Sequence, residues 1–341
     1  MKKIILLTLC FCSLLAASCA VTTNPFVKKH SGLYPVFDDG KCGYIDRAGK
    51  VVINLQFSSC NEFSDGLAAV SIGEKSGFIG TDGKFAINPQ FEGASKFSEG
   101  LAAVWNDGKG GYVGTDGKFV INPQFTSTTD FSEGLAAVAI GEKTGFIGKD
   151  GKYAVNPQFD LAGNFSEGLA YIQIGKKFGY IDKNGKIVIN PQFDNAGNFK
   201  EGLAAVQTGD KYGFIDQTGK YVFNPQFDYA EEFSDGLASV SNSSKDESKV
   251  GFVDKSGKII INPQFNSAGK FSDGLAWVIV GNKIGFVDKT GKYVINPQFE
   301  CEGANDFIGG ISVLSSQAID KEGKAIWKAA KPASCDEEEG H

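Results

Sequence analysis

The chain has 341 residues, 44 of them glycine, and a formal net charge of −6 from 34 basic and 40 acidic side chains. This acidic balance offers no basic stripe of the kind that binds nucleic acid or anionic lipid head groups. The histidines are His30 and His341, both near an end of the chain, which excludes a histidine-based triad or zinc site in its central part. We therefore predict no metal site and no cofactor.

The first residues resemble a bacterial lipoprotein signal peptide. Lys2 and Lys3 precede a short apolar run, which ends in small residues before Cys19. The run is shorter than the ~20 residues of a membrane-spanning helix, so residues 1–18 are predicted to be a removed signal. The resemblance implies that Cys19 begins the mature chain and carries a lipid that holds it to the membrane. Ordinary signal cleavage without lipidation is the alternative.

Residue Ala20 follows Cys19, where an acidic residue can retain a lipoprotein at an inner membrane. We therefore expect a bacterial cell envelope protein at the outer membrane, on its periplasmic or its surface face. Residues 19–31 have no strand period and are predicted to be a lipidated tether. Residues 328–341 have the composition of a disordered tail, and residues 32–327 form one repeat array.

A period of 34 residues runs through that array. Seven units contain Asn-Pro-Gln-Phe, and eight contain Gly-(Phe/Tyr)-(Ile/Val), starting at Gly43, Gly77, Gly111, Gly145, Gly179, Gly213, Gly251 and Gly285. Such regularity indicates a repeat protein, in which neighbouring units bury a continuous core and a surface carries the function.

Each unit predicts three short antiparallel strands joined by glycine turns. In residues 135–165, three runs of β-branched and aromatic residues are separated by Gly-Glu-Lys and Lys-Asp-Gly. The proline of Asn-Pro-Gln-Phe should mark a strand end or a sheet edge, because it lacks a backbone donor. The two phenylalanines of Phe-x5-Phe, such as Phe159 and Phe165, should pack between units, because a 34-residue unit cannot bury them alone.

The spacing stretches to 38 residues between Gly213 and Gly251. The extra residues fall in the polar stretch 241–248, at the turn between the first two strands, and should loop out there. The first strand near residue 32 and the last unit after residue 310 are degenerate, as terminal caps are.

The repeated frame resembles the WG-containing repeats, also called KWG repeats, over residues 32–327. It combines Gly-Leu-Ala-x-Val, Lys-x-Gly-(Phe/Tyr)-(Ile/Val)-Asp-x-x-Gly-Lys and Pro-x-Phe. The resemblance implies a β-repeat fold and a bacterial envelope setting. The family's tryptophan is replaced in each unit, by Cys42, Ser76, Gly110, Thr144, Phe178, Tyr212, Val250 and Ile284.

The fold class is predicted as all-β: tandem three-stranded meanders in an open, twisted, solenoid-like array. A closed β-propeller is the alternative. Propeller blades usually have four strands and about 40 to 50 residues, which is more than each unit shows.

Several repeated or unusual side chains are candidates for ligand contacts. The amide of each Asn-Pro-Gln-Phe motif can donate and accept hydrogen bonds, although satisfying local backbone groups is the alternative role. Trp105 and Trp277 lie near the ends of first strands, as stacking surfaces or as packing residues. The repeated glutamines are Gln90, Gln124, Gln158, Gln192, Gln226, Gln264 and Gln298.

The acids before Gly-Leu, such as Glu99 and Glu133, recur once per unit and do not converge as a catalytic pair. We expect them, with Glu167, to form a solvated ladder that alternates with the lysines Lys84, Lys118 and Lys152. We therefore predict no enzymatic activity.

The cysteines of the mature chain after Cys19 fall at the two ends of the array. In an oxidising compartment, Cys42 could pair with Cys60, and Cys301 with Cys335, so that each cap is held to its neighbour. Buried free thiols are the alternative.

These features favour a lipid-anchored, non-enzymatic envelope scaffold that binds a protein or a polysaccharide through a repeated surface. A purely structural envelope lipoprotein is the first alternative, and a glycan-processing enzyme is the second.

Overall fold

The computed structural model describes residues 31–243, 248–300 and 303–330. These residues form nine antiparallel sheets, named blades 1 to 9 below. Within the same ranges, no helix is long and apolar enough to cross a membrane. The predicted signal peptide, the lipidation site Cys19, the tether up to residue 30, Cys301, Cys335 and the tail from residue 331 lie outside the described residues.

Blades 1 and 9 each contain three strands within the described ranges, and blades 2 to 8 each contain a two-residue strand followed by three long strands. Blade 1 contains β1 (Tyr34–Asp38), β2 (Lys41–Ile45) and β3 (Val51–Phe57). Blade 2 contains β4 (Ser59–Cys60), β5 (Leu67–Ile72), β6 (Lys75–Gly80) and β7 (Phe85–Phe91). Blade 3 contains β8 (Gly93–Ala94), β9 (Leu101–Asn106), β10 (Lys109–Gly114) and β11 (Phe119–Phe125).

The central blades repeat this order. Blade 4 contains β12 (Ser127–Thr128), β13 (Leu135–Ile140), β14 (Lys143–Gly148) and β15 (Tyr153–Phe159). Blade 5 contains β16 (Leu161–Ala162), β17 (Leu169–Ile174), β18 (Lys177–Asp182) and β19 (Ile187–Phe193). Blade 6 contains β20 (Asn195–Ala196), β21 (Leu203–Thr208), β22 (Lys211–Asp216) and β23 (Tyr221–Phe227).

The last three blades complete the ring. Blade 7 contains β24 (Tyr229–Ala230), β25 (Leu237–Ser243), β26 (Ser248–Asp254) and β27 (Ile259–Phe265). Blade 8 contains β28 (Ser267–Ala268), β29 (Leu275–Val280), β30 (Lys283–Asp288) and β31 (Tyr293–Glu300). Blade 9 contains β32 (Ile311–Leu314), β33 (Gln317–Asp320) and β34 (Ala325–Lys328).

The Asn-Pro-Gln motif forms a bulge on the third long strand, which is an edge of its sheet. In blade 4, Thr144 pairs with Phe159 and Phe146 with Val155, so the third strand has extra residues opposite Gly145. A Cβ atom on Gly145 would lie 2.5 Å from the Val155 carbonyl oxygen. Only glycine leaves room for the bulged backbone, which explains why Gly and Asn-Pro-Gln recur together. The prediction that the proline marks a sheet edge is confirmed.

Aromatic side chains pack at the seams between blades. The ring of Tyr180 in blade 5 lies 4.8 Å from that of Phe199, which precedes the first long strand of blade 6. Both side chains are fully buried, and one hydrophobic cluster joins residues of these two blades. The predicted packing of phenylalanines between units is therefore confirmed.

A fourth strand completes blades 2 to 8, where the sequence predicted only three. The short strand and the residues after it run beside the first long strand; Ser95 N–H, for example, donates to the Ala103 carbonyl oxygen at 2.8 Å. This stretch, named the inner segment, covers residues 59–63, 93–97, 127–131, 161–165, 195–199, 229–233 and 267–271, with 303–307 as its counterpart in blade 9. Its pairing is partly irregular, so the sequence pattern predicted only the three long strands.

The prediction of an open array is wrong, because the described residues form a closed propeller of nine blades. Blade 9 packs directly on blade 1, where Tyr34, Val36 and Ile45 share a hydrophobic cluster with Ile311 and Ala318. The Tyr34 hydroxyl also donates to the Gly309 carbonyl oxygen at 3.1 Å. Face-to-face burial thus joins the two ends.

The polar insertion extends one hairpin of blade 7. Asn242 pairs with Lys249 and Ser243 with Ser248, so β25 and β26 are longer than their counterparts. The first residues of β25 keep the usual register, since Leu237 pairs with Asp254. The insertion lengthens the turn end of the hairpin and leaves the paired part of the blade intact.

Candidate ligand-binding site

A cavity of about 630 Å³ identifies the central channel of the ring. Its lining includes Glu62 from blade 2, Tyr34 from blade 1, Asp306 from the inner segment of blade 9 and Lys270 from blade 8. Two blades, 9 and 1, separate blade 8 from blade 2 around the ring. Residues from blades 2 and 8 can therefore line the same cavity only if their inner segments face the central axis of the ring. The inner segments therefore form the channel wall.

The channel wall is predominantly acidic. Its charged residues at the two positions before the seam phenylalanines are Glu62, Lys96, Asp130, Glu231, Glu232, Lys270 and Asp306. Burial raises the pKa of Asp306, an effect that the nearby Lys270 ammonium opposes. Among the described residues, three of the four buried polar side-chain atoms without a partner also belong to this wall: Asn164 Oδ1, Asn198 Oδ1 and Asp306 Oδ1.

Grooves lie beside the channel wall, at the seam between consecutive blades. A groove is named by its two blades. The wall of each groove includes the residue that precedes the repeated glycine of the second long strand. This is the position where WG-containing repeats have tryptophan. The floor of each groove is the third residue of the first long strand. Groove 6/7 is a cavity of about 340 Å³, with Ala205 as its floor and Tyr212 at the tryptophan position.

Groove 6/7 has an aromatic corner. The rings of Tyr212 and Tyr229 are 5.9 Å apart with an angle of 66° between their planes, and Tyr229 is 51% exposed. Asn195 donates from Nδ2 to the Tyr212 hydroxyl at 3.0 Å and accepts the Ala196 N–H at Oδ1. This amide therefore fixes Tyr212, with one N–H and one oxygen lone pair engaged in these bonds.

Two carboxylates of blade 7 complete the lining of groove 6/7. Asn198 donates to Glu232 Oε1 at 2.8 Å, and the Tyr229 hydroxyl donates to Glu231 Oε1 at 3.4 Å. Burial, and then the Glu231 carboxylate, raise the pKa of Tyr229. Lys270 also lines the groove but makes a salt bridge to Asp306 at 3.7 Å.

Groove 4/5 has the same backbone and different side chains. It is a cavity of about 280 Å³, with Ala137 as its floor, Thr144 in place of Tyr212 and Leu161 in place of Tyr229. Glycine and asparagine stand at residues 163 and 164, which correspond to Glu231 and Glu232. This groove therefore lacks the aromatic corner and the counterparts of Glu231 and Glu232. Its carboxylates are Glu142 and Asp160, and Asp160 pairs with Lys143.

Side chains of the protein itself fill other grooves. Tyr171 lies on Gly163, where an added Cβ would be 2.2 Å from its ring, and Trp277 lies on Gly269 in the same way at 2.0 Å. Trp105 approaches Gly110 and is half-buried, like Trp277. Of the two roles that the sequence left open for the tryptophans, packing agrees with these positions.

A disulfide occupies the same place between blades 1 and 2. Cys42 Sγ and Cys60 Sγ are 2.13 Å apart, which is the pairing that the sequence suggested for the first cap. Cys42 stands at the family's tryptophan position, and Cys60 belongs to the next inner segment. The other suggested pair, Cys301 with Cys335, lies outside the described residues.

The repeated acids contact the next blade and do not form the predicted ladder with Lys84, Lys118 and Lys152. Glu99 Oε2 accepts the Gly134 N–H at 3.0 Å and lies 3.1 Å from Lys149 Nζ. Lys84, Lys118 and Lys152 instead pair with acids of their own turns, Asp82, Asp116 and Asp150. Glu99 and Gly100 both have positive φ and form the centre of a type I′ turn. This turn directs the Glu99 side chain toward the next blade, which the spacing of the acids in the sequence did not reveal.

The lysines two residues before the repeated glycines form a second set of contacts, at the opposite ends of the strands. Lys143 Nζ lies 2.6 Å from Asp160 Oδ1, and the other oxygen of Asp160 accepts the Gly175 N–H. The Lys143 ammonium, and then this N–H, hold the pKa of Asp160 below its ordinary value. Each face of the ring thus has charged contacts that cross seams.

The seven candidate glutamines are exposed on the edge strands. Gln124 and Gln158 each donate to the carbonyl oxygen of the asparagine two residues earlier, at 3.3 Å. Because they are exposed, the repeated amides are accessible to a ligand. The bonds of Gln124 and Gln158 to nearby carbonyl oxygens correspond to the alternative role, which is to satisfy local backbone groups.

The described residues form a closed nine-bladed β-propeller, with an acidic channel wall and with grooves at its seams that differ in their side chains. The chain belongs to the family of WG containing repeats, whose profile matches residues 43–75, 77–109, 111–143, 145–178, 178–212, 212–245, 251–283 and 284–311. A search of curated proteins finds no match.

Several solved structures are similar to this chain. A crystal structure of the eukaryotic initiation factor is 13% identical, with a TM-score of 0.63, over 86% of this chain and 94% of that one. The chain is also similar to Hsv2p of Kluyveromyces lactis (10% identity, TM-score 0.41, 66% and 90% covered). A third similar structure is PorZ, a surface component of the type-IX secretion system of Porphyromonas gingivalis (11% identity, TM-score 0.32, 85% and 50% covered).

Proposed function

We propose that this protein is a non-enzymatic binding scaffold of the bacterial cell envelope, held to the outer membrane by lipid on Cys19, which engages a protein or a polysaccharide. Groove 6/7 carries the proposal. It is an open cavity with the half-exposed ring of Tyr229 on its wall, in a propeller where corresponding grooves hold Tyr171 or a disulfide. Exposed aromatic side chains in a cavity are typical of ligand contacts.

The repeat explains how one scaffold can specialise. Bulge glycines, seam phenylalanines and turn acids recur because the backbone requires them. The groove positions are free of that requirement, so they differ from blade to blade. A rigid ring with variable positions at its seams suits recognition, since function in a repeat fold resides in the residues placed on it.

The envelope setting rests on two features of the chain. The first is the resemblance of residues 1–19 to a lipoprotein signal. The second is the Cys42–Cys60 disulfide, because such bonds persist in oxidising compartments outside the cytosol. Radiolabelled palmitate should enter the wild type and be absent from Cys19→Ser; equal labelling of both would contradict lipidation at Cys19.

Binding of the mature protein to arrays of envelope proteins and glycans tests the proposal. We expect retention of at least one array component, reduced by Tyr229→Ala and unchanged by Leu161→Ala, the matched change in groove 4/5. Loss of retention in a triple variant of Gln124, Gln158 and Gln192 would instead assign binding to the amides. Turnover of an array component, or no retention at all, would contradict a non-enzymatic binding scaffold.

A further inference from the structure

We infer that groove 6/7 takes a cationic side chain, an arginine or a lysine presented by an extended segment of a protein partner. The inference deepens the proposed function and rests on it. It follows from three properties of the groove: its free carboxylates, its aromatic corner and its shape beside the channel.

The groove has negative charge that the protein leaves without a salt bridge. Among the described residues, Glu231 and Glu232 pair with no lysine or arginine, whereas Lys270 on the same wall is paired with Asp306. The hydrogen bonds to Glu231 and Glu232 engage only their Oε1 atoms. One oxygen of each carboxylate is left to accept a bond from a guanidinium or ammonium group, which is the strong, charge-assisted kind.

The aromatic corner suits the same ligand. A cation is attracted to the face of a tyrosine ring, and the alkyl stem of arginine or lysine packs on apolar surface. Tyr229 exposes half of its surface, and Asn195 holds Tyr212 at an angle of 66° to it. The two rings and the Ala205 floor therefore offer an apolar slot whose rim is acidic.

The size of the groove limits what can enter. A cavity of about 340 Å³ admits one long side chain but not a folded element. It opens beside the acidic channel wall, so a chain with further basic residues would be attracted to the neighbouring carboxylates. Neutral sugars would gain from the tyrosine rings but not from the two carboxylate charges.

Isothermal titration of the mature protein with the peptide acetyl-Gly-Arg-Gly-amide tests the inference, with acetyl-Gly-Gln-Gly-amide and maltotriose as neutral probes. We expect the arginine peptide to bind at least fivefold more tightly than either neutral probe. Glu231→Gln combined with Glu232→Gln should weaken it at least fivefold, and Tyr229→Leu about threefold. Glu142→Gln, which removes a carboxylate from groove 4/5, should leave binding unchanged. Thermal melting of each variant establishes that it is folded.

Three results would overturn the inference: tighter binding of maltotriose, equal binding of the arginine and glutamine peptides, or arginine binding that the double glutamine variant retains. Array retention together with any of them would refute the cation site and leave the binding scaffold standing. Absence of array retention as well would refute both. A carboxylate-dependent preference for arginine, with groove 4/5 insensitive, supports the inference.

Discussion

Grooves 6/7 and 4/5 are two copies of one backbone arrangement with different contents. Both have an alanine floor, Ala205 or Ala137, and both lie between an inner segment and the next. Tyr212, Tyr229 and two glutamates line the first, where Thr144, Leu161, a glycine and an asparagine stand in the second. The repeat thus fixes the cavity, and a few unconstrained positions decide its chemistry.

The repeated backbone that forms both grooves must be rigid. Substitutions at the seams between blades should therefore reduce the stability of the fold most. Phe199 is fully buried between blades 5 and 6, so Phe199→Ala removes a ring that both blades contact. We expect a loss of about 4 kcal/mol in the free energy of unfolding, measured with urea. Tyr229→Ala, on the exposed groove wall, should lose far less. Similar losses for both would show that the seams do not hold the frame.

The next largest effect separates two glycines near groove 6/7. A Cβ on Gly213 would meet the backbone of residues 223–225 at 2.7–2.8 Å, whereas one on Gly197 first meets the Ala205 carbonyl oxygen at 3.6 Å. Gly213→Ala should cost about 3 kcal/mol, because the bulge must shift, and Gly197→Ala should be nearly neutral. Equal chemical denaturation midpoints for the two variants would contradict the role given to the bulge.

Much of this frame could be read from the sequence, because it repeats. The period placed the long strands, the glycine turns and the seam phenylalanines such as Phe165, since each depends on residues close together in the chain. The pairing of Cys42 with Cys60 could also be suggested from the sequence, because the two cysteines are only 18 residues apart and both lie at one end of the array.

Closure and the site could not be read in this way. Closure depends on the packing of Tyr34 and Val36 against Ile311, almost the whole chain away, and on an inner segment with irregular pairing. Glu99 pairs with Lys149, 50 residues later, in place of the nearer Lys84 or Lys118. The open groove was hidden because no local pattern tells whether Tyr212 fills its groove or lines it.

Charged contacts across seams should stabilise the fold slightly more than charged contacts within turns. Lys149 pairs with Glu99 of the neighbouring blade and is 46% exposed, whereas Lys152 pairs with Asp150 of its own turn and is 85% exposed. We expect Lys149→Met to cost about 0.5 kcal/mol and Lys152→Met almost nothing, by thermal melting at low salt. A larger loss of stability for Lys152→Met than for Lys149→Met would show that the contact between Lys149 and Glu99 does not help to hold the blades together.

Acid should weaken the seam contacts on the opposite face. The pKa of Asp160 is held low in the folded protein, so its stabilisation is complete above the ordinary carboxyl pKa and is lost as pH falls through the folded value. The melting temperature should therefore decrease as the pH is lowered below about 4. Asp160→Asn should reduce this dependence slightly; an unchanged slope would show that the carboxylate does not contribute.

The closed ring is the claim on which the seams, the channel and groove 6/7 all depend. Electron–electron distance measurements between spin labels, attached through unnatural amino acids at residues 50 and 324, test it directly, with labels at residues 84 and 118 as the reference for neighbouring blades. These four positions are exposed lysines of the same turn in blades 1, 9, 2 and 3. Closure predicts similar distances for the two pairs. A much longer distance between residues 50 and 324 would contradict it.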